Sequence, residues 1–230
     1  MLIVINLNCF AQANKWFLSI SAGPTIGGPS SSLKKQIVDQ NFDQTSSFNF
    51  FGLEGTTNYP VVQKDAALLV RGGVKLNERR SIYFVVGQSA AGSVEGYKNE
   101  GYADLILIGS SYGQSIKLDY NTYQLSAGYL YSFPNTRIKI GFGPSFFLSD
   151  YSITENDNNK ESHTAISPGA TFTARLPLGK EKKLFGVELV FEGNAAAPIR
   201  MKGDMQETGF QPGTVNMCSA NIGIAFCFRN

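Results

Sequence analysis

The chain has 230 residues, enough for one large domain or two small ones, and its net charge of +2 names no partner. Charged residues make up 17%, against roughly 25% in an ordinary soluble domain, while aromatics reach 12% and there are 24 glycines. No apolar run approaches the ~20 residues of a membrane helix, which excludes a helical membrane protein, and no basic run points to nucleic acid.

The chain begins MLIVINLNCFAQA, an apolar stretch followed by Ala11-Gln12-Ala13, the small-residue pattern of a secretory cleavage site. Residues 1–13 are therefore expected to be the tail of a signal peptide whose basic start lies upstream, and 14–230 the folded domain. A first strand is the alternative, in which Asn6 and Asn8 would sit poorly. Cys9 would leave with the leader, and Asn8 before it is unlike the small residue that precedes a lipoprotein cysteine. Cys218 and Cys227 remain; their odd spacing puts them on opposite faces of one strand, so no disulfide and no metal-ligand spacing is expected.

Eight segments then alternate apolar and polar residues, at 15–24, 66–77, 81–93, 116–132, 137–151, 163–176, 184–197 and 214–228. The period of two is clear in RIKIGFGPSFFL, residues 137–148: Ile138, Ile140, Phe142, Phe146 and Leu148 share one face, Arg137, Lys139, Gly141, Gly143 and Ser145 the other. The last segment sets Ala220, Ile222, Ile224, Phe226 and Phe228 against Ser219, Asn221, Gly223, Ala225 and Cys227. Asn77-Glu78-Arg79-Arg80, Pro134-Asn135-Thr136 and Gly179-Lys180-Glu181-Lys182 are short polar turns, whereas 25–65, 94–115, 152–162 and 198–213 are long connections. In an up-and-down meander all the long loops fall at one end and the short turns at the other. Charges lie mid-strand on the face with the small residues, which fits a narrow filled interior better than a solvated surface. The predicted fold is therefore all-β: an eight-stranded antiparallel up-and-down transmembrane β-barrel.

Aromatic residues cluster at strand ends. Trp16, Phe84, Tyr129, Tyr131, Phe185 and Phe228 fall toward the short turns, and Tyr120, Tyr123, Phe146 and Tyr151 toward the long loops. They are expected to form two interfacial girdles. Tyr123 to Tyr131 spans roughly 20 Å at ~3.3 Å per residue and a tilt of about 40°, near the height of an apolar band.

This pattern resembles the small eight-stranded outer-membrane barrels, the OmpA-like transmembrane domain and OmpX among them, over essentially all of 14–230. The ending ANIGIAFCFRN is similar to the terminal strand that the outer-membrane insertion machinery recognises, but Arg229 and Asn230 follow its last aromatic. The FAQA region and the Phe/Tyr/Asn-rich style resemble porin-family barrels of Bacteroidetes. The resemblance implies an integral multi-pass barrel in the cell outer membrane of a Gram-negative bacterium, with the outer-membrane bilayer and the insertion machinery as its partners.

Six charges fall in the inward phase: Arg71, Lys75, Lys139, Arg175, Glu188 and Glu192. Enclosed charges must be paired, so an ionic plug is expected, with a small-solute path along the same residues as the alternative; eight strands leave room for side chains and little else. His163 is the only histidine. A rim hydrolase would need a serine two residues after it, where Ala165 stands, and Ser162 points away from it on a strand, so an ordinary loop-edge histidine is expected. Asp150, Glu155, Asp157 and Glu161 carry oxygen ligands that suit Ca²⁺, but their spacing matches no metal loop and a solvated acidic loop is expected. Gly23-Pro24 and Gly27-Gly28-Pro29 look like turn punctuation.

In the first long loop, Phe48, Phe50 and Phe51 would be costly to expose as a patch; they pack within the loop layer, extend the strands, or meet a protein partner. Tyr102-Ala103-Asp104-Leu105-Ile106-Leu107-Ile108-Gly109 raises the same choice, and a ten-stranded barrel using both segments would break the rhythm of short turns. The expected protein is non-enzymatic and carries no cofactor or metal. It presents long loops for adhesion, partner binding or envelope structure. A small-solute channel or binder, and an accessory subunit of an outer-membrane secretion or assembly complex, are the alternatives.

Overall fold

The structure, a computed structural model, describes residues 16–64, 66–105, 108–134, 136–157, 159–179, 185–203 and 205–229; the expected leader, 1–13, lies outside them. The chain runs β1 (Trp16–Gly27), α1 (Pro29–Asp39), β2 (Thr45–Phe50), β3 (Leu53–Asn58), β4 (Val61–Lys64), β5 (Ala66–Lys75), β6 (Arg80–Leu105), β7 (Ile108–Ser132), β8 (Lys139–Glu155), β9 (Asn159–Leu178), β10 (Phe185–Ala196), β11 (Ile199–Arg200), β12 (Thr214–Val215) and β13 (Ser219–Arg229). Eight of these, β1, β5, β6, β7, β8, β9, β10 and β13, pair antiparallel with their neighbours in that order, and β13 returns to β1 to close the ring. The ten-stranded alternative does not occur, because β2, β3 and β4 add to the strand extensions outside the ring.

Alternation decides what faces where. On β8 the residues from Gly141 to Ser149 are buried at odd positions and exposed at even ones. The outer face is a continuous apolar belt that includes Ile20, Phe84, Leu125, Phe142, Ile166, Phe191 and Phe226. From Trp16 to Ile26 the belt on β1 rises about 25 Å at ~3.3 Å per residue and a tilt of about 40°. Asn121, Asp150 and Thr164, aligned on neighbouring strands, end it on the long-loop side.

The long connections are more ordered than the sequence reading expected. Residues 94–105 and 108–115, within the stretch read as a loop, continue β6 and β7 into a long antiparallel arm. β2 pairs with the tip of β7 through Phe48–Phe50 and Ile108–Ser110, and β4 pairs with β6 through Val61–Lys64 and Gly92–Glu95. Likewise β8 and β9 run through most of 152–162. Gly23-Pro24, read as a turn, lies inside β1. Gly28 does sit at a bend, with φ +68, and Pro29 then opens α1 in the first helical turn, where its missing N–H is no loss.

That helix places Leu33 and Ile37 one turn apart on its buried face. With Phe42, Met201, Met205, Phe210, Val215 and Met217 they meet Val94, Ile116, Leu118, Tyr120, Tyr151 and Ile153 from the strand tops in one apolar core. The inner face of the ring therefore changes character along its length, polar beside the apolar belt and apolar beyond it.

Candidate functional site

The ring brings four of the six predicted lumen charges to near-complete burial: Arg71 on β5, Arg175 on β9, and Glu188 and Glu192 on β10. They form two layers. In the layer nearer the long loops, Arg71 bonds Glu192 and lies over the Tyr83 ring, 5.2 Å from its centroid. Gln124 Nε2 donates to Glu192 at 3.0 Å, to Ser126 at 2.7 Å and to Thr171 at 3.0 Å. Thr171 passes a hydrogen bond on to Asn194 at 3.0 Å.

In the layer nearer the short turns, one carboxylate serves two cations. Glu188 accepts from Lys139 Nζ at 2.8 Å through one oxygen and is ion-paired through the other with Arg175, whose Nε lies 2.6 Å away. Arg175 also donates to Ser19 at 3.0 Å and to Cys227 Sγ at 3.2 Å. Lys139 is only partly buried, and Lys75 lines the mouth below it. Pairing of this kind offsets part of the several kcal/mol that each buried ion would otherwise cost, on the order of the penalty for an unpaired buried charge. Above it the apolar cap fills the mouth on the long-loop side, where Leu33, Tyr120, Tyr151 and Met217 line a remnant void of about 20 Å³.

Gln124, Tyr83 and Asn194 belong to the network, and sequence reasoning did not single them out. Their signal was available: Gln124 shares the parity of Thr122 and Ser126, and Asn194 that of Glu192 and Glu188.

The predicted girdle is divided. Trp16, Phe185 and Phe228 face outward near the short turns, with Phe185 against Phe226 and Phe228. Tyr129 and Tyr131 share that outer phase half-buried, and Tyr131 meets Phe133 edge-on. Tyr123 is outward at the far rim, where its hydroxyl accepts from Asn121 at 2.8 Å. Phe84 and Phe146 point outward within the belt, paired in register with Ala127 and Leu125. Tyr120 and Tyr151 do not join a girdle: they are 7% and 8% exposed and point into the cap core. The reason is parity. Tyr120 and Tyr123 are an odd number of residues apart and must face opposite sides.

Phe48, Phe50 and Phe51 are exposed on the β2–β3 hairpin, with Leu53 beside them. Phe48 lies across Gly55 on the facing strand, and Phe50 meets Phe51 edge-on at 4.7 Å. His163 sits 3.5 Å from Glu161, with its ring 5.5 Å from that of Tyr151; Ser162 projects from the other face of β9. The four acidic residues are not gathered: Asp150 accepts from Thr164 at 2.6 Å, Glu161 faces His163, and Glu155 is buried. The solvated-loop expectation thus fails for Glu155, which accepts from the Thr208 backbone N–H at 3.0 Å and ties the last long connection to β8. Among the described residues no group of three metal-ligating side chains occurs.

The chain matches no protein-family model and no curated protein. Among solved structures it is similar to Ail, the attachment invasion locus protein of Yersinia pestis, at 12% identity and TM-score 0.40, covering 93% of this chain and 99% of that one. It is similar to the outer membrane protein OprG of Pseudomonas aeruginosa at 11% identity and TM-score 0.40, covering 94% and 97%. The outer membrane protease OmpT of Escherichia coli aligns at 9% identity and TM-score 0.42, covering 95% and 97%.

Proposed function

We propose that this chain is a non-enzymatic integral outer-membrane barrel that carries no solute through its lumen and works through the layer beyond the bilayer. The observation that carries this reading is the polar interior, cross-linked by Arg71–Glu192–Gln124 and Arg175–Glu188–Lys139 and roofed by the apolar cap. An apolar belt around such an interior suits lipid outside and a closed lumen inside. Closure of β13 on β1 leaves no unpaired strand edge within the belt, which a bilayer requires.

The working surface in this reading is the arm of β6 and β7 with the β2–β3 hairpin, where Phe48, Phe50, Phe51 and Leu53 stand exposed. An aromatic patch of this kind is a contact surface for a protein partner.

Two measurements test the proposal together. The folded protein should run with altered mobility before boiling in SDS and should show no stable unitary conductance in planar bilayers. Reproducible channels from pure protein would overturn the closed lumen. Phe48→Ser with Phe50→Ser should leave heat-modifiability unchanged while removing a partner from envelope pull-downs. If the partner stays, the hairpin is not the contact surface.

A further inference from the structure

At the short-turn end the barrel opens into a cavity of about 660 Å³, within the range of small-ligand pockets, roughly 300–1,000 Å³. Its floor is the Glu188 layer. One carboxylate there lies between Arg175 and Lys139, so the three groups together carry one excess positive charge. Among the described residues its rim adds Lys75, Arg79 and Arg137 and the carboxylate Glu78. Arg137 is held in place by donating to the Gly179 carbonyl at 3.0 Å. Among the described residues, five cations and two carboxylates line a concave site to which Phe17 and Leu130 add apolar surface.

A low-dielectric wall focuses the field of such a cluster, and guanidinium forks match the paired oxygens of a phosphate group. An excess of this size calls for a ligand with more than one negative charge. Each of the eight ring strands contributes an inner-face residue to the cavity, among them Phe17, Ser81, Leu130 and Cys227, which favours a solute over a lipid headgroup. We propose that this mouth binds a small, multiply charged phosphate-bearing solute, with Arg79 and Arg137 contacting the anion and Arg175 setting the charge of the floor. The proposal rests on the ring and its mouth. It does not depend on the lumen being closed or on the aromatic hairpin being a contact surface.

The test is calorimetric titration of the refolded barrel in nonionic detergent at low ionic strength, with inorganic pyrophosphate as the probe and citrate as the carboxylate control. Wild type should bind pyrophosphate saturably at one site, at least tenfold more tightly than citrate, and the affinity should fall steeply with added salt. Arg79→Glu with Arg137→Glu should weaken binding at least tenfold, with the heat-modifiable band checked in each preparation so that loss of binding is separated from loss of fold. A change under twofold in that variant, equal affinity for citrate, or no saturable binding by wild type overturns the proposal. Repeating the titration in nanodiscs distinguishes the sources. Affinity that is the same in phosphatidylcholine and phosphatidylglycerol discs supports a free solute, whereas competition by phosphatidylglycerol overturns that assignment in favour of lipid headgroups.

Discussion

The Arg71–Glu192 pair shows most directly what a single residue does in this barrel. Both side chains are about 1% exposed, and each belongs to a larger set: Arg71 to Tyr83 and Thr173, Glu192 to Gln124. Removing one partner leaves the other enclosed and unpaired, at a cost of about 3–5 kcal/mol, whereas removing both leaves an apolar contact that costs far less. Arg71→Met and Glu192→Leu should therefore each lower the urea midpoint of unfolding strongly, and the double variant should recover most of the loss. A double variant as unstable as the sum of the singles would show that the pair is not coupled. This site was largely legible in the sequence, because mid-strand charges on the small-residue face can only point inward in a ring. Gln124 was not, because an uncharged amide on an alternating strand has nothing to mark it except its parity. Tyr120 and Tyr151 escaped for the opposite reason: they were placed by their closeness to strand ends, while parity had already turned them inward.

At the level of elements, the ring depends on glycines where backbones come unusually close, and two of them are the tightest. A Cβ on Gly23 of β1 would fall 1.9 Å from the Ile222 carbonyl oxygen of β13, and one on Gly143 of β8 would fall 1.9 Å from that of Ala127 on β7. In each case a proline follows, Pro24 or Pro144, and the regular register skips the spot. The obstruction is backbone and cannot swing aside. Gly23→Ala should destabilise the closing seam by about 1–3 kcal/mol, the usual cost of overpacking, and shift the boiled-to-unboiled transition to lower temperature. Gly186→Ala, which meets nothing within 4 Å, should leave the transition where it is. The sequence showed Gly23-Pro24 plainly but not its meaning, since a strand kink and a turn use the same two residues.

The extended arm has its own pH dependence. Lys117 is held above its ordinary pKa by donating to Glu95 at 3.0 Å, and Tyr59, stacked on Tyr97, is raised by burial and then by the charge of Glu95. A group raised on folding lends stability that is complete below its unfolded pKa and lost as pH climbs through the folded one. The arm should thus be firm at neutral pH and should loosen as pH rises beyond the ordinary tyrosine and lysine values of roughly 10–10.5. Subtilisin cleavage within 45–64 should accelerate over that range in the wild type. Tyr59→Phe combined with Lys117→Met should remove most of the step, and an unchanged step would assign it elsewhere. That 94–115 would form an arm was only half legible: the alternation persists there, but it is interrupted by glycines that the tyrosines cover from the facing strand, Tyr112 over Gly101 and Tyr102 over Gly109. A glycine reads as a break until its cross-strand partner is known.

Taken as a whole, the molecule turns an ordinary protein inside out beside the belt and right side out beyond it. Next to the belt the buried face holds Arg71, Gln124, Arg175 and Glu192, and the exposed face holds Phe142, Leu125 and Ile166. Beyond it, Leu33, Ile37 and Phe210 are buried as in any soluble domain. The overall inversion was legible because period two assigns faces, and the small residues and charges identify the enclosed one. The cap was not, since its core joins α1 to 199–217 across more than 160 positions of sequence, and no local pattern records such a pairing. The inversion makes a prediction at the same scale. Phe142 is 68% exposed in the middle of the outward row on β8, between Ile140 and Phe146. On a soluble protein, replacing so exposed a phenylalanine with arginine would be neutral or would improve solubility, because the side chain gives up no packing and gains hydration. Facing lipid, the same change places a cation near the bilayer midplane at a cost of about 2–4 kcal/mol. Phe142→Arg should therefore lower folding stability in phosphatidylcholine vesicles by that amount, while Asp150→Arg, at the edge of the belt, should change it by less than about 1 kcal/mol. Equal effects at the two positions would mean that the belt does not face hydrocarbon. The apolar residues of the outer face would then have to be covered by protein instead.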